Sequence, residues 1–147
     1  MESCTLLDQI LRETLRLRPP VPFFTRNVGG DGAKIGTFDI PAKTQIFMPN
    51  WSIHRDPDHW ADPEVFNPSR WDDQTRQENT YGSDYFFPFG RGSRACIGQI
   101  FAKVFMKLSL AVLIHEYQVE FGPESADPEF YFAVAVPRQL KAQFSER

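Results

Sequence analysis

The stretch Phe86-Phe87-Pro88-Phe89-Gly90-Arg91-Gly92-Ser93-Arg94-Ala95-Cys96-Ile97-Gly98 decides how this chain is read. Its three glycines permit left-handed backbone or the close approach of a bulky object. A long apolar-periodic segment follows the thiol directly, so Cys96 lies near a predicted helix N-terminus with Arg91 and Arg94 close in sequence. Amide dipoles and positive charge both favour a thiolate there. A thiolate so placed is either a nucleophile or a soft metal ligand. A nucleophile needs a base, and His54, His59 and His115 have no supporting local sequence. The plain alternative is a small buried residue in a glycine-rich turn. The residues alone leave these readings open.

Downstream of the loop, apolar residues at positions 97, 100, 101, 104, 105, 108, 111 and 112 predict a helix from Ile97 to about Tyr117. Ala102, Met106, Leu110, Leu113 and Ile114 fill most other faces, and only Gln99, Lys103 and Lys107 form a polar line. A helix this apolar belongs inside a larger core. The chain offers one other clear helix to cover it: Leu7, Ile10, Leu11 and Leu15 recur at helical spacing from Ser3 onward until Pro19-Pro20 stops the pattern.

Between the two helices, Pro22 to Val28 reads as extended chain, Gly29 to Gly32 as a turn, and Ile35 to Ile40 and Thr44 to Met48 as short strands of one small hairpin sheet. Trp51 to Trp71, broken by Pro57, Pro63 and Pro68, is an irregular segment whose aromatics mark it as packed, and Gln74 to Asp84 is polar without period. Phe130 to Val136 and Leu140 to Phe144 resemble a β-hairpin tail. No internal repeat is present.

At 147 residues and 17.0 kDa the chain is one domain at most. Nineteen acidic against 16 basic side chains give a net charge of −3, which supplies no field for tracking a nucleic-acid backbone. With 41% apolar and 24% charged residues it is not a disordered tail. Two distant cysteines, Cys4 and Cys96, imply neither a disulfide framework nor a closed zinc site, so a reducing, intracellular compartment is expected. The N-terminus carries no signal-peptide pattern, and no apolar run approaches the roughly 18 residues of a spanning helix.

Phe89-x-x-Gly92-x-Arg94-x-Cys96-x-Gly98 resembles the haem-binding signature of the cytochrome P450 family. Glu13-Thr14-Leu15-Arg16 before Pro19-Pro20 is similar to that family's E-x-x-R helix, and Phe66-Asn67-Pro68-Ser69-Arg70-Trp71 to its F-x-P-x-R-[FW] motif. Three ordered motifs identify the chain as resembling the C-terminal part of a haem-thiolate monooxygenase. The resemblance implies a mainly α fold with small β-hairpins, divided into an E-x-x-R helix (1–20), a small sheet (21–50), a meander (51–85), a cysteine loop (86–98), a long helix (97–117) and a β tail (130–147). It implies haem b as cofactor, Cys96 as axial iron ligand, Phe89 against the haem near the sulfur, Gly98 for close approach, and Arg94 and Arg26 on the propionates. It also implies a structural network of Glu13, Arg16 and Arg70. The helical wheel alone would instead make Glu13 and Arg16 an exposed i,i+3 pair contributing about 0.2–0.5 kcal/mol.

The implied partners are a small organic substrate and an electron-donating reductase or ferredoxin, with no nucleic acid. Membrane attachment would depend on an N-terminal anchor outside this sequence. Lys103 and Lys107 read as solvated surface charge, or as contacts to an acidic electron donor. No histidine is given a metal role. One departure is local: where the family often has a glutamate nine residues after the cysteine, this chain has Phe105. A larger one is length, because family members run to several hundred residues. The oxygen-activating helix, and with it any identifiable catalytic residue, is absent. The alternatives are a catalytically silent haem-binding or interaction fragment and, more remotely, a thiol enzyme pairing Cys96 with a histidine.

Overall fold

The computed structural model describes residues 5–72, 81–122, 128–131, 134–137 and 141–147. Cys4, most of the polar stretch from Gln74, and residues 138–140 of the tail lie outside these.

Helix α1, Thr5–Leu17, ends two residues before Pro19. Its chain ends are tied locally, Asp8 to Arg12 at 2.6 Å and the Arg18 amide to the Thr14 carbonyl at 2.7 Å. Leu11, Leu15 and Leu17 are buried, as the apolar spacing requires, but so are Gln9, Glu13 and Arg16. A 13-residue helix buried on its polar side as well has neighbours nearly all round.

The chain then runs through β1, Phe24–Asn27; β2, Ala33–Ile35; β3, Phe38–Ile40; and β4, Gln45–Met48. These make two nested antiparallel pairs and not the single sheet expected: β1 pairs with β4, Phe24 opposite Met48, and β2 pairs with β3, Ala33 opposite Ile40. β2 is exposed throughout and β3 nearly so, whereas β1 is half-buried along most of its length. The outer pair is the more buried of the two.

The meander is more ordered than its prolines suggest. A one-turn helix α2, Asn50–Ile53, opens it, and a 3₁₀ turn at Pro68–Trp71 closes it, with Asn67 Oδ1 accepting from the Ser69 amide at 3.1 Å. Trp60, Trp71 and Phe86 join Leu15 of α1 in the main apolar cluster, against which Tyr81, Tyr85, Phe89 and Met106 pack. Trp71 and Phe86 rings stand 4.6 Å apart.

Helix α3, Gln99–Glu116, fits the predicted span, and it has no buried residue. All eight positions of the sequence's apolar stripe are exposed, Ile97 just ahead of it fully so, while the half-buried side includes Gln99, Lys103, Met106 and Lys107. Lys107 reaches Asp8 of α1 at 2.6 Å, and Lys103 lies 4.5 Å over the Tyr81 ring. The polar line therefore docks α3 onto the domain. Lys103 and Lys107 are thus half-buried contacts of α3 rather than fully solvated charges.

Two corrections concern the C-terminal part. The chain leaves α3 directly into a strand, β5, Tyr117–Phe121. The last strand, β8, Ala142–Glu146, pairs with β5, Tyr117 opposite Glu146, and the hairpin is instead β6, Pro128–Tyr131, with β7, Val134–Pro137. Expecting one tail hairpin missed β5 because Tyr117-Gln118-Val119-Glu120-Phe121 follows a helix without a breaking residue. No described helix is long and apolar enough to cross a membrane.

Candidate functional site

The cysteine loop is a set of tight turns held by its own backbone. The Gly90 amide donates to the Phe87 carbonyl at 2.9 Å, the Cys96 amide to the Phe89 carbonyl at 2.8 Å, and the Ala95 amide to the Gly92 carbonyl at 3.0 Å around a short 3₁₀ turn, Gly92–Arg94. Gly90 has φ +75° and Gly92 φ +69°, in the left-handed region where a side chain is strained. Gly90 is moreover buried between the Phe24 ring and Ala95, so this turn fixes where the loop reverses.

Cys96 emerges from these turns exposed and unpaired with any described thiol. Shortly after it, α3 begins at Gln99 with no side-chain cap at Gly98; the Gln99 amide donates to the Cys96 carbonyl at 3.3 Å, and the helix's positive end lies close to the cysteine in the chain. A Cβ built on Gly98 would stand 3.8 Å from Cys96 Sγ, so glycine keeps the flank of the sulfur clear. Phe89 is half-buried, its ring 6.0 Å from that of Tyr81. Arg94 is exposed, and Arg91 forms an ion pair with Asp84.

Arg26 is half-buried on β1 and donates to the Thr25 carbonyl at 2.8 Å. With Phe24, Met48, Phe87, Arg91 and Gly92 it lines a cleft of about 440 Å³ on one side of the loop. The structure thus brings Arg26 and Arg91 to one cleft.

Behind the loop lies the charged network. Glu13 accepts five hydrogen bonds: both oxygens take the Arg16 guanidinium at 2.9 Å, Oε1 also takes the Asn67 amide and Arg70 Nε at 2.9 Å, and Oε2 takes Trp71 Nε1 at 3.0 Å. Burial alone would raise the Glu13 carboxyl, but the donors from Arg16, Asn67 and Arg70 outweigh it and hold it below its usual range. Arg16 spends its remaining donors on the carbonyls of His54, Pro63 and Val65 at 2.8, 2.7 and 3.3 Å. The exposed-pair reading of Glu13 and Arg16 fails because the meander wraps the polar side of α1: both side chains are completely buried.

Sequence reasoning weighed His54 only as a candidate base and missed its place in the fold. It is fully buried, stacks against Phe86 and Phe87 with ring centroids 5.4 Å away, and its Nε2 accepts the Phe87 amide at 3.0 Å. Burial, and then the neighbouring Arg16 charge, push its imidazole down to about 3. Its sole signal was the turn-prone His54-Arg55-Asp56-Pro57, which names no partner 33 residues away. His59 packs on Tyr85 with ring centroids 3.7 Å apart, and His115 is exposed beside Glu116. Among the described residues no three His, Cys, Asp or Glu side chains converge to hold a bare metal ion.

The family model described as Cytochrome P450 matches residues 1–144. Cytochrome P450 71D94 of Mentha gracilis is 36% identical over 134 residues, covering 90% of this chain and 26% of the relative. The (+)-vincadifformine 19-hydroxylase of Catharanthus roseus is 33% identical over 145 residues, 96% of this chain and 28% of its own. Among solved structures, the cytochrome P450DA heme domain superposes at a TM-score of 0.82 with 25% identity, over 96% of this chain and 30% of that one. Retinoic acid bound cyanobacterial CYP120A1 does so at 0.82 with 29% identity, over 97% and 33%. The chain spans about a quarter of the length of these curated relatives.

Proposed function

Because the chain belongs to the cytochrome P450 family and shares the fold of its solved members, we propose that it supplies the thiolate side of a haem site in a monooxygenase. One observation carries this: an exposed cysteine on a loop fixed by its own turns, at an uncapped helix start, beside an uncovered apolar helix face. A soft sulfur donor next to apolar surface, with arginines at the margin, suits a flat apolar macrocycle that has an anionic edge.

Haem b bound through a thiolate supplies reductive activation of O₂ and insertion of one oxygen atom into an organic substrate. The chain's residues have separate parts in holding it. Cys96 would give the thiolate ligand, with the start of α3 contributing partial positive charge near it. Phe89 would hold Cys96 from behind through its carbonyl, and Gly98 would let the ring come close. Arg94 and Arg26 would take the propionates, each by charge-assisted hydrogen bonds. Glu13, Arg16 and Arg70 are structural: they pin the meander to α1 and so support the loop.

The substrate would be a small organic molecule, with electrons delivered by a reductase or ferredoxin. The motifs of this chain include no acid–alcohol pair for oxygen activation, so turnover is assigned to a protein of the relatives' length. The uncovered face of α3 favours a second reading for the 147 residues alone, a haem-binding but catalytically silent unit.

Loading the purified chain with haem, reducing it and adding carbon monoxide tests ligation. The expected result is the red-shifted Soret band of a thiolate-ligated complex, lost in Cys96→Ser. Absence of that band, or its persistence in C96S, would overturn the proposal. Oxygenation of any substrate by the isolated chain would overturn the assignment of turnover to the longer protein.

A further inference from the structure

His54 touches both halves of the architecture. Its carbonyl accepts Arg16 Nη1 at 2.8 Å, and its ring nitrogen Nε2 accepts the Phe87 amide at 3.0 Å, just where the cysteine loop begins. His54 thus meets Arg16 through its backbone carbonyl and a loop amide through its ring. The geometry settles the tautomer. A nitrogen that accepts an N–H carries no proton, so a neutral imidazole must hold its proton on Nδ1.

That Nδ1–H is buried without a partner, and among the described residues one other buried side-chain atom shares this condition, Asn50 Oδ1. The two are complementary, a donor and an acceptor. They also lie one helical turn apart: the His54 amide donates to the Asn50 carbonyl at 2.8 Å, which puts both side chains on the same side of α2. Asn50 cannot swing freely, since its Nδ2 is spent on the Val21 carbonyl at 2.8 Å. Its oxygen is thereby left facing the interior as an acceptor only. Both residues are completely buried, where an unmade hydrogen bond is expensive and an acceptor within a turn is used.

Asn50 Oδ1 and His54 Nδ1 do not bond each other as they stand; we propose that they are a positioning pair in which a small side-chain rotation closes that bond, Asn50 Oδ1 then holding the His54 proton on Nδ1 while Nε2 clamps the Phe87 amide and fixes the loop that presents Cys96. The groups facing His54 agree with a neutral ring: Arg16 beside its carbonyl, Arg55 next in sequence, and the Phe86 ring tilted and the Phe87 ring edge-on against it, with no carboxylate among the described residues bonded to it. The clamp acts through the loop and not on the sulfur, so it is a positioning role. It rests on the haem-thiolate reading only for its consequence; the pair itself is a property of the chain without cofactor.

The test therefore has two arms. In the cofactor-free chain, long-range ¹H–¹⁵N correlation of the histidine imidazoles should show His54 as the Nδ1–H tautomer at neutral pH, with a through-hydrogen-bond coupling between Nε2 and the Phe87 amide nitrogen. An Nε2–H tautomer, or no coupling, overturns the proposal with no variant needed. In the haem-loaded chain, His54→Phe keeps the ring stack and removes the acceptor; the fraction of thiolate-type carbonyl band should fall roughly fivefold or more at equal haem content. Asn50→Leu should lower it less and bring in the second tautomer. If wild type shows the thiolate band and H54F keeps it undiminished, the clamp is refuted while ligation by Cys96 stands. If wild type shows no such band, ligation fails, the tautomer and coupling still decide the His54–Phe87 clamp, and an N50L chain that keeps the wild-type tautomer unmixed refutes the part given to Asn50. Should H54F not fold, N50L and the wild-type coupling carry the decision.

Discussion

Glu13 and Arg16, three residues apart on α1, form a fork-to-fork ion pair with both contacts at 2.9 Å and neither side chain exposed to solvent. A pair so placed has lost its hydration and is sustained by the other donors around it: the Asn67 amide, Arg70 and the Trp71 indole on Glu13, and three meander carbonyls on Arg16. The network is the joint between helix and meander.

Removing the carboxylate leaves two guanidinium groups beside an empty site. Glu13→Ala is expected to cost about 3–5 kcal/mol in urea unfolding, the range for breaking one partner of a buried ion pair. Lys34→Ala, whose contact with Asp39 is 3.5 Å long and largely exposed, should change stability by about 0–1 kcal/mol. Equal effects from the two substitutions would show that the network holds nothing.

Acid should unfold the chain in two stages with the same sign. His54 is depressed in the fold from 6.5 to about 3, so the unfolded chain takes up a proton first, and stability present above pH 6.5 is lost as pH falls from there toward 3. Glu13 is depressed below 4.5, so its contribution is present above that value and is lost at lower pH. Chemical denaturation as a function of pH should therefore decline already between pH 6.5 and 4.5, and H54F should flatten that upper part alone. An upper slope unchanged in H54F would assign the proton to another group.

Apolar positions of the two helices should behave oppositely. Leu15→Ala, in the cluster with Trp60, Trp71 and Phe86, should cost about 2–5 kcal/mol. Phe101→Ser or Phe105→Ser, on the uncovered side of α3, should stay within about 0.5 kcal/mol and reduce binding of an apolar dye such as ANS. Large destabilisation by either serine would mean that α3 docks through its apolar stripe after all.

The docking of α3 is polar and should be measurable as such. A double-mutant cycle on Asp8 and Lys107, 2.6 Å apart and partly exposed, should give a coupling of about 0.2–1 kcal/mol that shrinks in high salt. Zero coupling at low salt would count against this contact in solution.

The parts of this molecule that could be foretold are those specified within a few residues. Pro19 and Pro20 end α1, the stripe from Ile97 predicts α3, and the glycines, arginines and thiol of 86–98 mark the loop. The nested pairing of β1 with β4 and of β5 with β8 was not foretold, because a strand's partner is chosen by turns and burial far along the chain. Nor was His54, whose acceptor role depends on an amide 33 residues later.

By itself the sequence determined the helices, the family and the thiol's place at a helix start, all consequences of spacing and of single-residue backbone preferences. Tertiary structure alone decided which sides those elements turn inward. Periodicity records which positions resist water, not what stands opposite them: it suggested that Glu13 and Arg16 face out and that the stripe of α3 faces in. Within these 147 residues the reverse holds, because the meander brings carbonyls, amides and Arg70 against the polar side of α1, while Asp8 and Tyr81 draw in the lysines of α3.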